Sequence, residues 1–347
     1  MSTLLPEDVI IDILARVPRC NYPRLSLVCK HFRSLIASPN LFAVRSLLGC
    51  TELCLYVLLH NRETGVDQCW SILRQKTKDN PRLVRIPSLP VALHYAAVGS
   101  KIYAFDWTND DSVTTNVLSI DLRYHTVQPL PSIDASVYTT VADVISGKIY
   151  VLGYRNTSSN KLMVVLNTET ETWELVRTMA DTRGYYTWSS SFVMMDGKMY
   201  MLSPDGIYVY DPKESRWETD HEKLEFWVNK GCVLDDVFYC YDFYVNSLRT
   251  YDPKQRRWGV VKGVEQLLAE TKSCSHFSWT EIVGYGRKLA LFFSKEEVTR
   301  GRWEIWCAEI SLERQEDGEG ICGRVEWCNQ VMVAGNFIGS KCVAVMV

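Results

Sequence analysis

Two patterns of apolar and polar residues divide the chain. Between residues 4 and 46, apolar side chains recur with the period of a helix, and Val9, Ile13 and Val17 fall on one stripe. From about residue 53 onward, short runs of alternating apolar and polar residues are separated by turn-forming residues, which is typical of strands. The pattern therefore predicts a small helical module followed by an all-β region.

Start and stop signals in the first segment predict three short helices. Pro6 suits the first turn of a helix that ends at Pro18, and a second run places Leu25, Val28 and Phe32 on one face. A unit this short builds a poor hydrophobic core of its own. We therefore expect the helical module to lean on a partner.

Short sequence lines recur through the β region. One line reads GSKIY at 99–103, SGKIY at 146–150 and DGKMY at 196–200. A second line, written YDPKESRW at 210–217, has related copies whose successive starts are 46, 44 and 41 residues apart. A line that returns every 40–50 residues indicates a repeat fold.

Residues 190–219 show what one repeat builds. Asp196-Gly197 predicts a type I′ hairpin turn, because both central residues of that turn need positive φ. Asp211 and Pro212 predict a second turn, in which the aspartate side chain bonds the backbone. The repeat therefore reads as four short antiparallel strands, which is one blade of a β-propeller. We expect the large aromatic residues of the repeats to pack between blades: Tyr150, Trp173, Tyr200, Trp217 and Trp258.

The repeats divide the chain into a helical domain at 1–48 and a propeller at 49–347. Five complete blades are predicted at about 93–130, 139–177, 189–219, 228–262 and 279–332. Three strand-like runs at 53–86 and one apolar strand at 340–347 would then pair as a sixth blade and close the ring. An arrangement in which residues 332–338 and 341–347 supply two strands to that blade stays open.

Composition narrows the possible partners and compartments. The chain has a net charge of −3 from 38 basic and 41 acidic side chains, which argues against nucleic acid as the main partner. It has no apolar run long enough to span a membrane, and its first residues do not resemble a signal peptide. The 12 cysteines are scattered singly, so we expect reduced thiols in a cytoplasmic or nuclear protein.

Motifs for catalysis or metal binding are not apparent in the sequence. The six histidines do not form a metal-ligand spacing, and neither a nucleophile elbow nor a phosphate loop is present. The sequence therefore predicts no catalytic residue, no metal and no cofactor, although a small-ligand enzyme in the propeller channel stays open as a remote alternative.

Both regions resemble known families. The helical segment matches the F-box pattern in three blocks of residues: Leu5, Pro6 and Asp8; Ile13, Leu14, Val17 and Pro18; Val28, Cys29, Lys30, Phe32, Arg33, Leu35 and Ile36. The pair Ser38-Pro39 completes that match. The β region resembles kelch repeats over about 93–332, although the paired glycines of that family are missing.

The resemblance implies the substrate receptor of a Skp–cullin–F-box ubiquitin ligase, a combination abundant in plants. The F-box would bind a Skp-type adaptor, and through it the cullin and RING subunits, by residues on its apolar face: Leu5, Pro6, Val9, Ile13, Leu25, Val28 and Phe32. The first 50 residues carry a charge of +3, which independently favours an acidic partner. A scaffold that works without a ligase is the alternative.

The propeller would hold an unidentified target protein. Connections between strands 1 and 2 and between strands 3 and 4 share one face of the ring, here called the turn face, and repeat closely. The remaining connections lie on the opposite face of the ring, here called the loop face, and they vary between repeats. We expect aromatic and charged residues of the loop face to contact the target: Trp107, Tyr154, Arg155, Arg183, Tyr185, Tyr186, Phe243, Tyr244, His276 and Phe277.

Overall fold

The computed structural model of the 347-residue chain describes most of both predicted regions. The described residues are 5–73, 81–86, 94–105, 117–124, 126–131, 137–155, 158–176, 191–203, 206–220, 231–271, 279–297, 302–315, 320–335 and 337–347.

The N-terminal module is helical, as predicted. Its elements are α1 (Glu7–Arg16), a 3-10 turn (Arg19–Asn21), α2 (Tyr22–Leu25), α3 (Lys30–Ile36) and α4 (Pro39–Leu47). The structure thus adds a fourth helix and a 3-10 turn to the three helices predicted. Ser38 and Pro39 start α4: the Ser38 hydroxyl accepts a hydrogen bond from the Leu41 amide, and proline occupies the first turn.

Blades 1 to 3 each contain four consecutive strands. Blade 1 comprises β4 (His94–Val98), β5 (Lys101–Phe105), β6 (Val117–Asp121) and β7 (Thr126–Pro129). Blade 2 comprises β8 (Val137–Ile145), β9 (Lys148–Arg155), β10 (Ser158–Asn167) and β11 (Thr172–Val176). Blade 3 comprises β12 (Ser191–Met195), β13 (Lys198–Ser203), β14 (Gly206–Asp211) and β15 (Arg216–Asp220).

Blades 4 and 5 follow the same order and join at their outer edges. Blade 4 comprises β16 (Gly231–Leu234), β17 (Val237–Asp242), β18 (Ser247–Asp252) and β19 (Arg257–Lys262). Blade 5 comprises β20 (Thr280–Tyr285), β21 (Lys288–Glu297), β22 (Arg302–Arg314) and β23 (Ile321–Val333). A short parallel pairing of β19 with β23 fuses them into one eight-stranded sheet, and helix α5 (Glu265–Thr271) lies in the connection between them.

Blade 6 closes the ring by combining strands from distant parts of the chain. It comprises β24 (Phe337–Met346), β1 (Leu53–Asn61), β2 (Val66–Leu73) and β3 (Arg82–Arg85), in that order. The antiparallel pairing of β24 with β1 runs from Leu53 opposite Met346 to Asn61 opposite Phe337. The first strands of the six blades neighbour one another in circular order, so β24 is the innermost strand of blade 6. The described strands therefore form a six-bladed propeller with a three-plus-one closure, which confirms the predicted fold class.

The repeated turns have the predicted chemistry. Asp196 and Gly197 have φ values of 50° and 69°, and the pair Ser146-Gly147 also lies in the left-handed region, as a type I′ turn requires. In the other repeated turn, a carboxylate oxygen of Asp211 accepts hydrogen bonds from the Lys213 and Glu214 amides at 2.9 and 3.4 Å. The turn face is therefore built from local backbone chemistry.

Aromatic residues of the repeats pack between blades, as predicted. Tyr150 of blade 2 and Trp217 of blade 3 belong to one hydrophobic cluster that spans the two blades. The indole nitrogen of Trp173 in blade 2 donates to the Pro131 carbonyl, which follows blade 1, at 2.7 Å. Close packing also requires glycine at position 339, because a Cβ there would lie about 2 Å from the Trp279 ring.

Candidate functional site

The predicted adaptor face is largely exposed. Leu5, Val9, Ile13 and Val28 are exposed large apolar residues, with 65% of Val28 accessible, and Pro6 is exposed beside them. Apolar side chains that the module leaves outside its own core are candidates for burial against a partner. The structure therefore leaves most of this face open for a partner.

Two of the predicted adaptor residues are less exposed than the others. Leu25 and Phe32 are half-buried and pack against the module's own core, which is formed around Leu14, Leu35 and Leu41. Their exposed edges alone remain open to a partner. Sequence reasoning missed Leu27, which is 76% exposed beside Val28; its place in the apolar run before α3 was the available signal.

Arg45 of α4 forms the centre of the junction between the helical module and the propeller. Its side chain is only 1% exposed. The guanidinium donates to the Ala15 and Val17 carbonyls at 2.9 and 2.8 Å, and to the Tyr22 hydroxyl at 2.9 Å. Burial raises the pKa of Tyr22, so this phenol stays protonated and donates to the Leu14 carbonyl. Arg45 thus ties α4 to the end of α1 and to α2.

Glu52 connects the helical module to the propeller. A carboxylate oxygen of Glu52 accepts a hydrogen bond from Arg45 at 3.0 Å, and the Arg19 amide also donates to this carboxylate. The backbone of Glu52 exchanges two hydrogen bonds of 2.8 Å with Val347, the residue after β24. The segment leading into β1 is therefore bonded to the strand that closes the ring.

A second contact joins the module to blade 1. Phe42 of α4 packs edge-to-face against Tyr124 with ring centroids 5.2 Å apart. It also belongs to a buried hydrophobic cluster that includes residues of blades 1 and 6. The Arg19 guanidinium lies over the Phe42 ring and donates to the Leu122 carbonyl at 3.1 Å. The helical module therefore leans on its own propeller, in addition to any partner.

These contacts change the charge argument made from the sequence. Arg19 and Arg45 contribute two of the six basic residues in the first 50 positions, and both are directed into the junction. The acidic residue they share, Glu52, lies just beyond that segment. The basic excess that faces outward is therefore smaller than the sequence count indicates.

The helical module occupies the turn face of the ring. Leu122 and Tyr124 belong to the connection between strands 3 and 4 of blade 1, and Glu52 precedes β1 at the same end of blade 6. The connections between strands 2 and 3 open on the opposite side. The two predicted binding surfaces are therefore separated by the body of the propeller.

The connection between β17 and β18 is the most completely described part of the loop face near a predicted target residue. Asp242, which is 1% exposed, accepts hydrogen bonds from the Tyr244 and Val245 amides at 3.0 and 3.3 Å. Its other carboxylate oxygen accepts from Arg249 Nε at 3.0 Å. Asn246 closes the turn with a φ of 51°. The backbone of this connection is therefore fixed by buried polar contacts.

Helix α5 supports the same connection from the side. The side-chain amide nitrogen of Asn246 donates to the Leu268 carbonyl of α5 at 2.9 Å. The side-chain oxygen of Asn246 accepts from the Tyr241 hydroxyl at 2.7 Å. Three consecutive large side chains project from this supported turn: Phe243 is 46% exposed, Tyr244 is 76% and Val245 is 58%. We call Phe243, Tyr244 and Val245 the apolar tip.

The apolar tip matches two of the predicted target residues, Phe243 and Tyr244. Val245 was missed, although three apolar residues between Asp242 and Asn246 form a visible signal in the sequence. A rigid loop that displays aromatic side chains has the character of an interface hot spot.

The other predicted target residues divide into two groups. Tyr154 and Arg155 lie within strand β9 and not in a loop, because its pairing with β10 continues to Arg155 opposite Ser158. The remaining six lie outside the described residues: Trp107, Arg183, Tyr185, Tyr186, His276 and Phe277.

The residues that the structure describes include neither a metal-binding cluster nor a membrane-spanning helix. Among those residues, no group of three histidine, cysteine or carboxylate side chains is placed to hold a metal ion. The eleven cysteines that the structure describes are all free thiols. Within the same ranges, no helix is long and apolar enough to cross a membrane.

Fold and surfaces together define a modular class of protein, in which a helical protein-binding unit is mounted on a kelch-type propeller. Family comparison agrees, since residues 3–43 match the F-box domain and residues 56–332 match the FKB95 kelch-repeats domain. The chain belongs to the F-box/kelch-repeat family.

Relatives from Arabidopsis thaliana are similar over almost the whole chain. The F-box/kelch-repeat protein At4g38940 is 44% identical, with 100% of this chain and 95% of the relative covered. The F-box/kelch-repeat protein At4g39240 is 34% identical, with 95% and 86% covered, and At4g14905, of the same description, is 33% identical, with 99% and 91% covered.

Proposed function

We propose that this chain is the substrate-recognition subunit of a Skp–cullin–F-box ubiquitin ligase. The observation that supports the proposal is that two candidate binding surfaces, the exposed apolar face of the F-box and the apolar tip, lie on opposite sides of one ring. The exposed apolar face of the F-box would bind a Skp-type adaptor, and the loop face would hold the target protein. Each surface can then be occupied without obstructing the other.

The contribution of such a receptor is proximity. Holding a target beside the ligase turns a bimolecular encounter into an effectively intramolecular one. In this role the chain supplies binding, while the other subunits of the ligase carry out ubiquitin transfer. We infer action in the cytoplasm or the nucleus, where these ligases would meet their targets.

The target surface would extend over the loop face around the apolar tip. Phe243 and Tyr244 support this placement by their exposure and rigid backing. We propose that the target also contacts the other predicted residues: Trp107, Tyr154, Arg155, Arg183, Tyr185, Tyr186, His276 and Phe277. The target itself is expected to be a protein.

The double variant Ile13→Asp/Val28→Asp should weaken adaptor binding strongly. Both side chains are exposed on the F-box face. A carboxylate introduced there would be buried in the apolar interface with the adaptor without a compensating partner. We expect adaptor affinity to fall by about 2–4 kcal/mol, which is about 30- to 1,000-fold. Co-expression with a Skp-type adaptor, followed by quantitative pull-down, measures the loss.

The matched control is Leu175→Asp, since Leu175 is 71% exposed on the outer strand of blade 2. It should retain adaptor binding. Wild-type protein that captures no Skp-type adaptor would overturn the proposal. In cells, a target that accumulates with the double F-box variant supports a ligase, whereas unchanged target levels support a scaffold that works without one.

Replacing Phe243 and Tyr244 with serine should release the target. The change removes two exposed aromatic side chains but keeps the hydrogen bonds of the Asp242 turn. We expect a loss of about 1–4 kcal/mol in target binding, as at an interface hot spot. Affinity purification from cells with the proteasome blocked, followed by quantitative mass spectrometry, compares the captured proteins.

Charge reversal at Lys213 and Lys254 provides the control on the turn face. Both side chains lie in exposed repeated turns, so their replacement should leave target capture near wild type. A partner that binds the tip variant normally, yet is lost when Lys213 and Lys254 are changed, would show that the target occupies the turn face.

A further inference from the structure

We propose that Arg19, Arg45 and Glu52 are positioning residues that fix the F-box relative to the loop face for ubiquitin transfer. This inference rests on the proposed ligase function. It adds that the junction between the two domains determines which lysines receive ubiquitin, because the junction holds the target at one orientation to the rest of the ligase.

The junction is fixed because it is bonded from both sides. Arg45 joins the end of α1, helix α2 and the segment before β1 through a single buried guanidinium. That segment is held in turn by the paired backbone bonds between Glu52 and Val347. A rotation of the F-box would therefore break polar contacts that are shielded from water, and such contacts are costly to leave unpaired.

The connection is also too short to act as a flexible tether. Helix α4 ends at Leu47 and β1 begins at Leu53, which leaves five residues between them. Within those five, the Cys50 carbonyl accepts from Arg45 at 2.6 Å, and the Glu52 carboxylate accepts from Arg45 and Arg19. Two of the five connecting residues are thus part of the junction.

Contacts on blade 1 oppose rotation about this short connection. Arg19 reaches the Leu122 carbonyl, and Phe42 is buried against Tyr124, at a distance along the chain from the Glu52 contact. Attachment to two neighbouring blades, 6 and 1, restricts rotation of the F-box more than attachment to one blade would. A flexible tether would spread a bound target over many orientations and dilute it at the site of transfer.

The test uses the full chain assembled with a Skp-type adaptor, cullin, RING subunit and ubiquitin-loaded conjugating enzyme. The receptor's own lysines serve as acceptors, so no target needs to be known. Exposed lysines such as Lys213 and Lys254 report on the propeller. The test variant is Arg19→Ala/Glu52→Gln, which loosens both attachments at half-buried residues and leaves Arg45 in place. The matched control is Arg216→Ala, whose ion pairs lie on the exposed surface of blade 3.

Mass spectrometry of ubiquitin remnants measures the share of modification at each lysine. We expect wild type and control to concentrate ubiquitin on a few lysines, and the test variant to lower the ratio of the most to the least modified lysine by about threefold or more. Hydrogen exchange of amides in 45–52 should become about tenfold faster as the junction opens. Adaptor affinity should stay near wild type, because Arg19 and Glu52 are not part of the exposed apolar face of the F-box, and this separates positioning from unfolding of the helical module.

A second variant covers the case in which the first is poorly folded. Inserting Gly-Ser-Gly-Ser between Gly49 and Cys50 lengthens the connection without replacing a side chain, and it should broaden the lysine pattern in the same way. An unchanged lysine pattern in a variant with faster exchange at 45–52 would overturn the inference while adaptor binding still upholds the ligase. Failure of wild type to bind any adaptor would instead overturn the proposed function.

Discussion

Arg45→Ala should lower the free energy of unfolding by about 3–5 kcal/mol, a large part of the stability of an ordinary domain. The substitution removes the donor for the Ala15, Val17 and Cys50 carbonyls and leaves the Glu52 carboxylate without its buried cation. The bond to Ala15 is buried and the other three are part-buried, so water replaces the lost donor only in part. Urea unfolding followed by fluorescence and circular dichroism measures the change.

Two comparisons separate the polar contribution from packing. Arg45→Met preserves much of the side-chain volume, so a loss nearly as large as that of alanine would assign the effect to hydrogen bonding. Arg216→Ala removes an exposed arginine and should stay within about 0.5 kcal/mol of wild type. Stability of Arg45→Ala within about 1 kcal/mol of wild type would contradict the role assigned to this residue.

The propeller was predictable because its information is local and repeated. The Asp196-Gly197 turn needs only its own two residues to adopt positive φ, and the Asp211 turn needs only the amides that follow it. Repeated copies of such local turn signals leave few alternative folds. Counting strands predicted the closure as three strands at one end and one at the other, but it left open an arrangement with two terminal strands, which only the pairing of β24 with β1 decides.

The junction was not predictable because its information is long-range. Arg45 lies 30 residues from Ala15, and Arg19 lies 103 residues from Leu122. The sequence shows only a basic residue in a helix, which ordinarily points to solvent. The basic excess was accordingly assigned to an acidic partner, whereas part of it holds the two domains of the same chain together.

The candidate target surface was predictable in part. Phe243 and Tyr244 stood out as aromatic residues between two strands, and the structure places both in an exposed turn. Tyr154 and Arg155 have the same composition signal but lie in a strand, because hairpin pairing extended further than the polar residues after them indicated. Composition identifies residue types suited to binding, while strand length decides which of them reach a loop.

Asp242→Ala should destabilise the propeller and dismantle the apolar tip at once. Asp242 is buried, pairs with Arg249 at 3.0 Å and holds the amides of Tyr244 and Val245. Breaking a buried ion pair by removing one partner costs about 3–5 kcal/mol. We expect unfolding stability to fall by this amount and amide exchange at 243–246 to accelerate, as measured by urea titration and hydrogen exchange.

Asp252→Ala is a close control, because Asp252 holds the Lys254 and Gln255 amides at 2.9 and 3.3 Å in the same kind of turn on the opposite face. It is only half-buried, so its loss should cost about 0.5–1.5 kcal/mol. Asp242→Asn keeps the turn acceptor but loses the charge opposite Arg249, and should fall between the two. Equal losses for Asp242→Ala and Asp252→Ala would show that the turn alone matters. The expected inequality means that the buried pair with Arg249 holds the tip rigid, and target capture should then fall with Asp242→Ala while adaptor binding on the far face persists.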